Sequence, residues 1–445
     1  MEKLFGTDGI RGVANQYPLT IDICEKLADA LVEKYDITGR GKIILGKDTR
    51  ISCDIFEHAL AAAFCARGAD VRLIGIVPTP AVSILVQYFH ADLGIMISAS
   101  HNPFYDNGIK IFNSQGLKLS DSEEEEIEKL VEQPREKYDS LIFGRVQYDF
   151  SAIDSYEEKI SSEILFEQAD AARLKIVLDC ANGSLSKIAP EVFKTFGFNV
   201  TQIYADPSGT NINENCGAAH PENLAKKVVE CAADFGISFD GDGDRVIFVD
   251  EKGKILDGDY ILALLLEDFL HSTSVKENFA VVSTVMSNFG FEKYLASKNI
   301  KLIRTQVGDR YVSEKMREIQ AVIGGEPSGH VVISSHAPTG DGLFTALKIT
   351  EYLLKNRKKC SEIGEIFELF PSVSKNVRVA DKSILKNPKI VNEIEKFRNQ
   401  LEGKGKLVVR ASGTEPLIRI LAEGENIAEL KQLVVEIEKL ISSIL

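Results

Sequence analysis

A serine followed directly by a histidine closes an apolar run near residue 100. Ser100 and His101 come after the run Leu93–Ile97, and Lys110 follows a nearby glycine turn. Covalent group transfer needs a nucleophile, a proton carrier and a fixed cation close together, and this loop offers all three. The Gly-x-Ser-x-Gly, Walker A and Gly-x-Gly-x-x-Gly patterns are absent from the chain. Those absences argue against a serine hydrolase, a P-loop kinase and a nicotinamide enzyme.

A second loop carries three aspartates separated by single glycines, Asp240, Asp242 and Asp244. The glycines let the backbone curl so that the carboxylates converge, and oxygen ligands without cysteine or histidine favour Mg²⁺. A calcium-binding EF-hand loop is the alternative, because Glu251 falls at its twelfth position. Arg245, however, occupies the position that an EF-hand reserves for glycine, and the flanking residues read as strands. We predict a magnesium site whose open place a phosphorylated Ser100 would fill.

A phosphate-binding turn is predicted close to the end of the chain, at Arg410–Pro416. Its glycine allows close backbone approach, its hydroxyls donate hydrogen bonds, and an arginine can grip two phosphate oxygens at once. The predicted phosphate ligands are Arg410, Ser412, Gly413, Thr414 and Arg419. The alternative is a surface turn with an ion-paired arginine.

A polar loop at residues 324–330 is the third candidate for binding. Glu326, Ser328 and His330 offer donors and acceptors for sugar hydroxyls, and the carboxylate and imidazole add acid/base capacity. A tight turn capped by polar residues is the alternative, which Pro327 would also suit. The loop therefore predicts sugar recognition only in combination with the other loops.

The charge balance bounds the choice of partner. The net charge is −14, from 52 basic and 66 acidic residues, so the surface should repel nucleic acid and phosphate at long range. An anionic substrate therefore needs a locally basic site. The cations that stand in or near the polar loops are Arg11, Lys110, Arg245, Arg410 and Arg419.

A weak internal repeat predicts the elements that position these loops. Three times, three β-type runs alternate with helix-length segments, and the third runs are 92–97, 234–239 and 320–323. Strands separated by helices imply βαβ units and mainly parallel sheets, with ligand sites at the strand ends. Each third strand is followed by one polar loop: the loop with Ser100, the loop with the three aspartates, and the loop at residues 324–330.

The predicted fold class is α/β, with three similar mixed α/β/α sandwich domains and a smaller C-terminal α+β domain around a central cleft. A chain of 445 residues is too long for one ordinary core. The predicted domains are 1–150, 151–256, 257–370 and 371–445. The last holds two β-type runs, 406–410 and 417–421, and an amphipathic helix over 427–445.

The pattern of cysteines and the hydropathy of the sequence indicate the cellular compartment. The seven cysteines are scattered without a CxxC pair, which is typical of reduced thiols in a cytoplasmic protein. No apolar run is long enough to span a bilayer, and the first residues read as no secretory signal. We therefore expect a cytoplasmic protein with no membrane partner.

The motifs, taken in order, resemble those of the α-D-phosphohexomutases over essentially the whole chain. The resemblance rests on Ser-His-Asn-Pro at 100–103, Asp-Gly-Asp-Gly-Asp-Arg at 240–245, Gly-Glu-Pro-Ser-Gly-His at 325–330 and Arg-Ala-Ser-Gly-Thr-Glu-Pro at 410–416. The segments 5–12, 97–110, 207–221 and 307–312 are similar to the branch that acts on glucosamine phosphates. That branch usually has glutamine where this chain has Pro327.

The resemblance implies an isomerase that moves a phosphoryl group between two positions of one sugar. Ser100 would carry the phosphoryl group and bind one Mg²⁺ with the three aspartates, and glucosamine 1,6-bisphosphate would be the intermediate. Lys110, Arg11 and Arg245 would neutralise charge, and His101 or His330 would carry protons. The product, glucosamine 1-phosphate, would feed UDP-N-acetylglucosamine and cell-wall synthesis. The family also makes a homodimer plausible.

Two other functions remain open from the sequence. A phosphomannomutase or phosphoglucomutase would use the same chemistry on a different sugar. A non-catalytic phosphosugar-binding protein would keep the phosphate-binding loops without turnover, although the presence of Ser100 and all three aspartates argues against lost chemistry.

Overall fold

The first unit of the chain is a sandwich of helices on both faces of a six-stranded sheet. In this computed structural model, the residues described are 3–6, 8–37, 39, 41–133, 141–165, 168–272, 279–412 and 416–443. The sheet order is β1-β5-β4-β2-β3-β6. Its elements are β1 (Ile10–Val13), α1 (Ile21–Lys34), β2 (Lys42–Lys47), α2 (Cys53–Ala66), β3 (Asp70–Ile76), α3 (Thr79–Tyr88), β4 (Leu93–Ile97), β5 (Asp106–Asn113), α4 (Asp121–Val131) and β6 (Val146–Tyr148).

Two helices, α5 (Ala152–Ser162) and α6 (Gln168–Ala171), lead into a second unit built on a five-stranded sheet. Its order is β11-β10-β9-β7-β8. The elements are β7 (Lys175–Asp179), α7 (Ile188–Thr195), β8 (Asn199–Ile203), α8 (Glu222–Glu230), β9 (Phe235–Phe239), β10 (Val246–Asp250) and β11 (Ile255–Leu256).

The third unit has a four-stranded sheet in the order β13-β12-β14-β15. Its elements are α9 (Gly258–Ser272), β12 (Ala280–Thr284), α10 (Phe289–Ser297), β13 (Lys301–Thr305), α11 (Asp309–Ile319), β14 (Ile323–Gly325), β15 (Val331–Ile333), α12 (Gly342–Asn356) and a 3-10 helix, Cys360–Glu365. The predicted third run, 320–323, lies two to three residues too early. Gln320 ends α11 in the left-handed conformation, so the strand starts only at Ile323.

The C-terminal unit is a three-stranded antiparallel sheet with two helices, in the order β16-β18-β17. Its elements are β16 (Ser372–Arg378), a 3-10 helix (Lys382–Lys386), α13 (Pro388–Leu401), β17 (Gly405–Ala411), β18 (Leu417–Gly424) and α14 (Ile427–Ser442). The sequence indicated β17, β18 and α14 but not β16 or α13. The predicted fold class of three α/β/α units and a smaller α+β unit is confirmed.

Each of the first three sheets is mixed, as the predicted fold class states. Parallel pairs of strands are three of five in the first sheet, two of four in the second and two of three in the third. The strands β4, β9 and β14 are each followed by an antiparallel partner, β5, β10 and β15. Each polar loop is thus the turn of a β-hairpin at the C-terminal end of a parallel strand. This arrangement holds both ends of every loop in the same sheet.

A shared core fixes the three sheets relative to one another. One apolar cluster contains Ile44 of β2, Leu178 of β7 and Val281 of β12, all buried. The opposite faces of the sheets have separate cores under α1, α2, α8 and α11. Burial of this apolar area is the main source of stability and keeps the hairpin loops in place. None of the helices in the described part of the chain has the length and apolar character needed to span a bilayer.

Candidate active site

The three hairpin loops meet at one place. The hydroxyl of Ser100, after β4, donates a 2.7 Å hydrogen bond to Oδ2 of Asp240, after β9. Arg245 and His330 form an isolated antiparallel bridge that joins the second loop to the third. The sequence placed these loops at matched strand ends, and the structure brings them into contact.

Ser100 is held in an uncommon backbone conformation. Its φ of +53° lies in the left-handed region, which costs a non-glycine residue about 1–2 kcal/mol. Its N–H donates to Oγ of Ser98 at 2.9 Å, and its side chain is buried. The Nδ1 atom of His101 lies 3.3 Å from Oγ of Ser100. The loop therefore presents the serine hydroxyl to both a carboxylate and an imidazole.

The three predicted metal ligands converge. One oxygen from each of Asp240, Asp242 and Asp244 lies within 4.8 Å of the others, and all three side chains are buried. Burial, with Asp244 and Asp242 adding to it, raises the pKa of Asp240 well above its usual range. The Oδ1 atoms of Asp242 and Asp244 are buried without a hydrogen-bond partner. Such oxygens fit a hard divalent cation, and no cysteine or histidine belongs to this triad.

Lys110 lies inside this acidic cluster rather than beside it. Its Nζ is 2.8 Å from Asp242, 2.9 Å from Asp8 and 3.5 Å from Asp244. Burial alone would lower the pKa of Lys110, but these carboxylates raise it well above the usual range. Burial would likewise raise the pKa of Asp244, yet Lys110 and His330 hold it well below the usual range. Lys110 therefore stays charged and offsets part of the negative charge of the aspartates.

Three residues of the cluster were missed by the sequence reading: Asp8, Lys118 and Asp309. Nζ of Lys118 is 2.6 Å from Asp8 and forms a short ion pair with Asp309, so it connects the first unit to the third. Asp8 and Asp309 lie in the glycine-containing segments 5–12 and 307–312, which resemble the glucosamine branch of the family. Lys118 carries no local signal, because its two partners come together only in the folded chain.

The predicted cations Arg11 and Arg245 border the serine loop. Arg11 is ion-paired with Asp8 at 2.6 Å, and Nε of Arg245 lies 3.8 Å from Asp244 and 4.0 Å from Asp240. Arg245, burial and Arg11 together lower the pKa of His101 to about 3. The imidazole is therefore neutral near pH 7 in a positive field that suits an anion.

The predicted sugar-recognition loop, residues 324–330, has two groups of polar side chains. His330 is buried, with Nδ1 3.6 Å from Asp244, and its Nε2 accepts the N–H of Gly340 at 3.1 Å. Oε1 of Glu326 accepts the N–H of Gly308, and its Oε2 accepts the hydroxyl of Ser328. His330 thus faces the aspartates, whereas Glu326 and Ser328 form a separate polar pair.

The C-terminal arginines approach the third loop. Arg410 and Arg419 are opposite each other on β17 and β18. Burial and Arg419 lower the pKa of Arg410, and the charge of Glu326 opposes that shift. Ser412, which directly follows β17, is also buried. The predicted ligands Gly413 and Thr414 lie outside the described residues.

Comparison with known proteins agrees with this fold. Models described as phosphoglucomutase/phosphomannomutase match the chain in four parts: alpha/beta/alpha domain I at residues 2–138, domain II at 154–253, domain III at 257–370 and the C-terminal domain at 375–440. The chain belongs to the phosphoglucomutase/phosphomannomutase family. Its relatives in this family are mutases, and the chain is an enzyme of the isomerase class.

Among its relatives are phosphoglucosamine mutases. The chain is 46% identical to that of Chelativorans sp. (strain BNC1) over 428 residues, which cover 96% of this chain and 94% of the relative. It is also 46% identical to that of Caldicellulosiruptor saccharolyticus over 444 residues, covering 97% of each chain.

Solved structures share the fold at lower identity. A phosphoglucomutase/phosphomannomutase family protein from Burkholderia thailandensis has a TM-score of 0.82 at 23% identity, covering 99% of this chain and 98% of that one. Aspergillus fumigatus N-acetylphosphoglucosamine mutase, solved with GlcNAc-6P and magnesium, has a TM-score of 0.68 at 18% identity, covering 98% and 95%.

Proposed function

We propose that this chain is a phosphoglucosamine mutase that interconverts glucosamine 6-phosphate and glucosamine 1-phosphate through a phosphorylated Ser100. The observation that carries the proposal is the 2.7 Å contact between the Ser100 hydroxyl and Asp240, inside a site with three converging carboxylates. Relatives 46% identical over nearly the whole chain are phosphoglucosamine mutases, which supports glucosamine as the sugar. The product would feed UDP-N-acetylglucosamine for cell-wall synthesis.

The reaction consists of two phosphoryl transfers with one reorientation between them. The free 1-hydroxyl of glucosamine 6-phosphate attacks the phosphorus held on Ser100, so the P–O bond to Ser100 breaks and glucosamine 1,6-bisphosphate forms. The bisphosphate turns around within the site. The Ser100 oxygen then attacks the 6-phosphoryl group, and glucosamine 1-phosphate leaves with the enzyme phosphorylated again.

Such transfers depend on positioning and on neutralising charge more than on covalent help. Mg²⁺ held by Asp240, Asp242 and Asp244 with the phosphorylated serine would supply much of that neutralisation. Lys110, Arg245 and Arg11 add fixed positive charge around the serine loop. His101 lies 3.3 Å from Oγ of Ser100, the oxygen that leaves in the first transfer and attacks in the second, and we assign it as the proton carrier for that oxygen.

Substrate binding is assigned to the other two polar regions. Glu326 and Ser328 would accept and donate hydrogen bonds to the sugar hydroxyls. Arg410 and Arg419, with Ser412, Gly413 and Thr414, would hold the phosphate that is not reacting, because paired arginines suit a dianion. The charge of Glu326 opposes the lowering of the pKa of Arg410, which supports the assignment of one ligand to both regions.

Parallel turnover of glucosamine 6-phosphate, mannose 6-phosphate and glucose 6-phosphate tests the proposal. The enzyme is first primed with a sugar bisphosphate, and kcat/KM is compared for the three sugars. The proposal predicts the highest value for glucosamine 6-phosphate. A clear preference for mannose 6-phosphate or glucose 6-phosphate would overturn the choice of sugar, and no turnover of any would favour a binding protein.

The homodimer and the cytoplasmic location are further parts of the proposal. Light scattering of the purified chain measures its mass in solution, and fractionation of cells that express it tests the location. A monomer, or a membrane-bound fraction, would contradict these two parts without affecting the chemistry.

A further inference from the structure

A segment of the second unit that takes no part in the proposed chemistry lies against the first unit. This segment, residues 207–213, includes Gly209, whose carbonyl accepts the N–H of Ile51 at 2.9 Å. Gly209 has a φ of +88°, and a Cβ added there would lie 3.1 Å from Cβ of Ile51. A residue with a side chain would not fit at this close approach, so the segment packs tightly against the residues that follow β2.

The last residue of the segment reaches the serine loop. Nδ2 of Asn213 donates to the carbonyl oxygen of Ser100 at 2.8 Å and to that of Asn102 at 3.0 Å. Asn213 is 9% exposed and has a φ of +59°, a conformation that asparagine tolerates better than most residues. One amide from the second unit thus binds two carbonyls of a loop in the first.

A buried arginine binds the same loop from the first unit. Nη2 of Arg50 donates to the carbonyls of Ser100 and Asn102 at 2.9 and 2.8 Å. Nη1 donates to the carbonyl of Pro103 in a short contact and to that of Asp106 at 3.0 Å. Its charge is balanced by Asp48, 2.9 Å from Nε.

These donors act on the residue with the strained backbone. The carbonyl of Ser100 receives one hydrogen bond from each unit, and these bonds fix the orientation of the peptide group that follows a residue whose φ is +53°. Residues in such conformations persist when the surrounding structure over-determines them. A fixed backbone at Ser100 holds its Cα and Cβ in place, and from there the hydroxyl reaches Oδ2 of Asp240.

We propose that Arg50 and Asn213 are paired positioning residues that hold the Ser100 peptide so that its hydroxyl faces the aspartate triad. The inference rests on the proposed function, because it concerns the transfer of the phosphoryl group to and from Ser100. Neither residue contacts the reacting oxygen, so both act through the loop. A misplacement of about 1 Å at a reacting atom is enough to cost about 100-fold in rate.

The variant Asn213→Gly tests the inference, since glycine keeps the left-handed backbone and removes both donors. Two rates are measured: the single-turnover phosphorylation of Ser100 by glucose 1,6-bisphosphate, followed by intact mass, and kcat for glucosamine 6-phosphate. Both should fall about 10- to 100-fold, whereas KM should change less than about threefold. The matched control is Asn223→Ala, whose amide donates to Tyr204 and Asn215 within the second unit and which should keep both rates.

The variant Arg50→Lys is a second test of the inference, because lysine keeps the charge beside Asp48 but loses the planar set of guanidinium donors. Its kcat should also fall while its KM changes little. If Asn213→Gly does not fold, Arg50→Lys alone tests the inference. Wild-type rates of Ser100 phosphorylation in the folded variant, or a change in KM alone, would overturn the inference and leave the proposed function standing. A wild-type enzyme that bisphosphate does not phosphorylate would instead overturn the proposed function.

Discussion

Replacement of Thr79 by valine should weaken Mg²⁺ binding without touching any metal ligand. The hydroxyl of Thr79 donates a 2.5 Å hydrogen bond to Oδ2 of Asp242, and both side chains are fully buried. The N–H of Thr79 also donates to the Asp242 carbonyl at 2.8 Å, a contact that valine keeps. Because valine has nearly the same size, the substitution removes one hydrogen bond and little else.

The magnitude follows from two independent estimates. A hydrogen bond to a charged group contributes about 1.5–3 kcal/mol. Loss of a partner that orients a metal ligand costs about 10- to 100-fold in metal affinity, which is about 1.4–2.8 kcal/mol. Lys110 remains 2.8 Å from the same oxygen, so the carboxylate keeps one orienting contact. We therefore expect the lower end, a loss of about 10-fold in Mg²⁺ affinity.

Calorimetric titration with Mg²⁺ measures this affinity directly, and the Mg²⁺ dependence of turnover gives a second value. Thr350→Val is the matched control, because the Thr350 hydroxyl is equally buried but donates to the Ala346 carbonyl within α12. It should lose some stability and no metal affinity. An unchanged Mg²⁺ affinity in Thr79→Val, or the same loss in both variants, would refute the reasoning.

Three other substitutions have distinct expected results. Gly241→Ala would place a Cβ 2.6 Å from the Ser100 carbonyl, so turnover should fall at least about 10-fold, in a steady-state assay. Arg410→Lys should raise KM for glucosamine 6-phosphate more than it lowers kcat, because lysine cannot hold two phosphate oxygens side by side. Burial lowers the pKa of His336, but hydrogen bonds to two carboxylates raise it overall. Its stabilising effect is therefore complete below about pH 6.5 and is lost as pH rises through the raised pKa. In urea unfolding, the stability difference between wild type and His336→Gln should shrink as pH rises, and a constant difference would contradict this.

The loops that carry the chemistry could be predicted because their signals are local. Ser100, the aspartates at 240–244 and the residues from Glu326 to His330 each follow an apolar run, and such runs end at one edge of an α/β sheet. What the pattern did not show is the antiparallel direction of the strand after each loop. The apolar run at 246–249 indicates a strand, but its antiparallel direction follows from the hairpin turn before it.

The supporting contacts could not be predicted, because they join distant parts of the chain. Thr79 is 163 positions from Asp242, and Lys118 is 191 positions from Asp309. No periodicity or motif connects such pairs, and only the packing of the sheets against one another brings them together. The C-terminal unit gives a different reason, since β16 is mostly exposed and contains lysine and asparagine rather than alternating apolar residues.

Phosphorylation of Ser100 by a sugar bisphosphate tests the central claim most directly. Wild-type enzyme and Ser100→Ala are incubated with glucose 1,6-bisphosphate and Mg²⁺, and the phosphorylated residue is located by peptide mass spectrometry. The account predicts one phosphoryl group on Ser100 in the wild type, none in Ser100→Ala and near-complete loss of mutase activity in that variant. Full activity in Ser100→Ala, or a phosphoryl group on Ser98 instead, would contradict it.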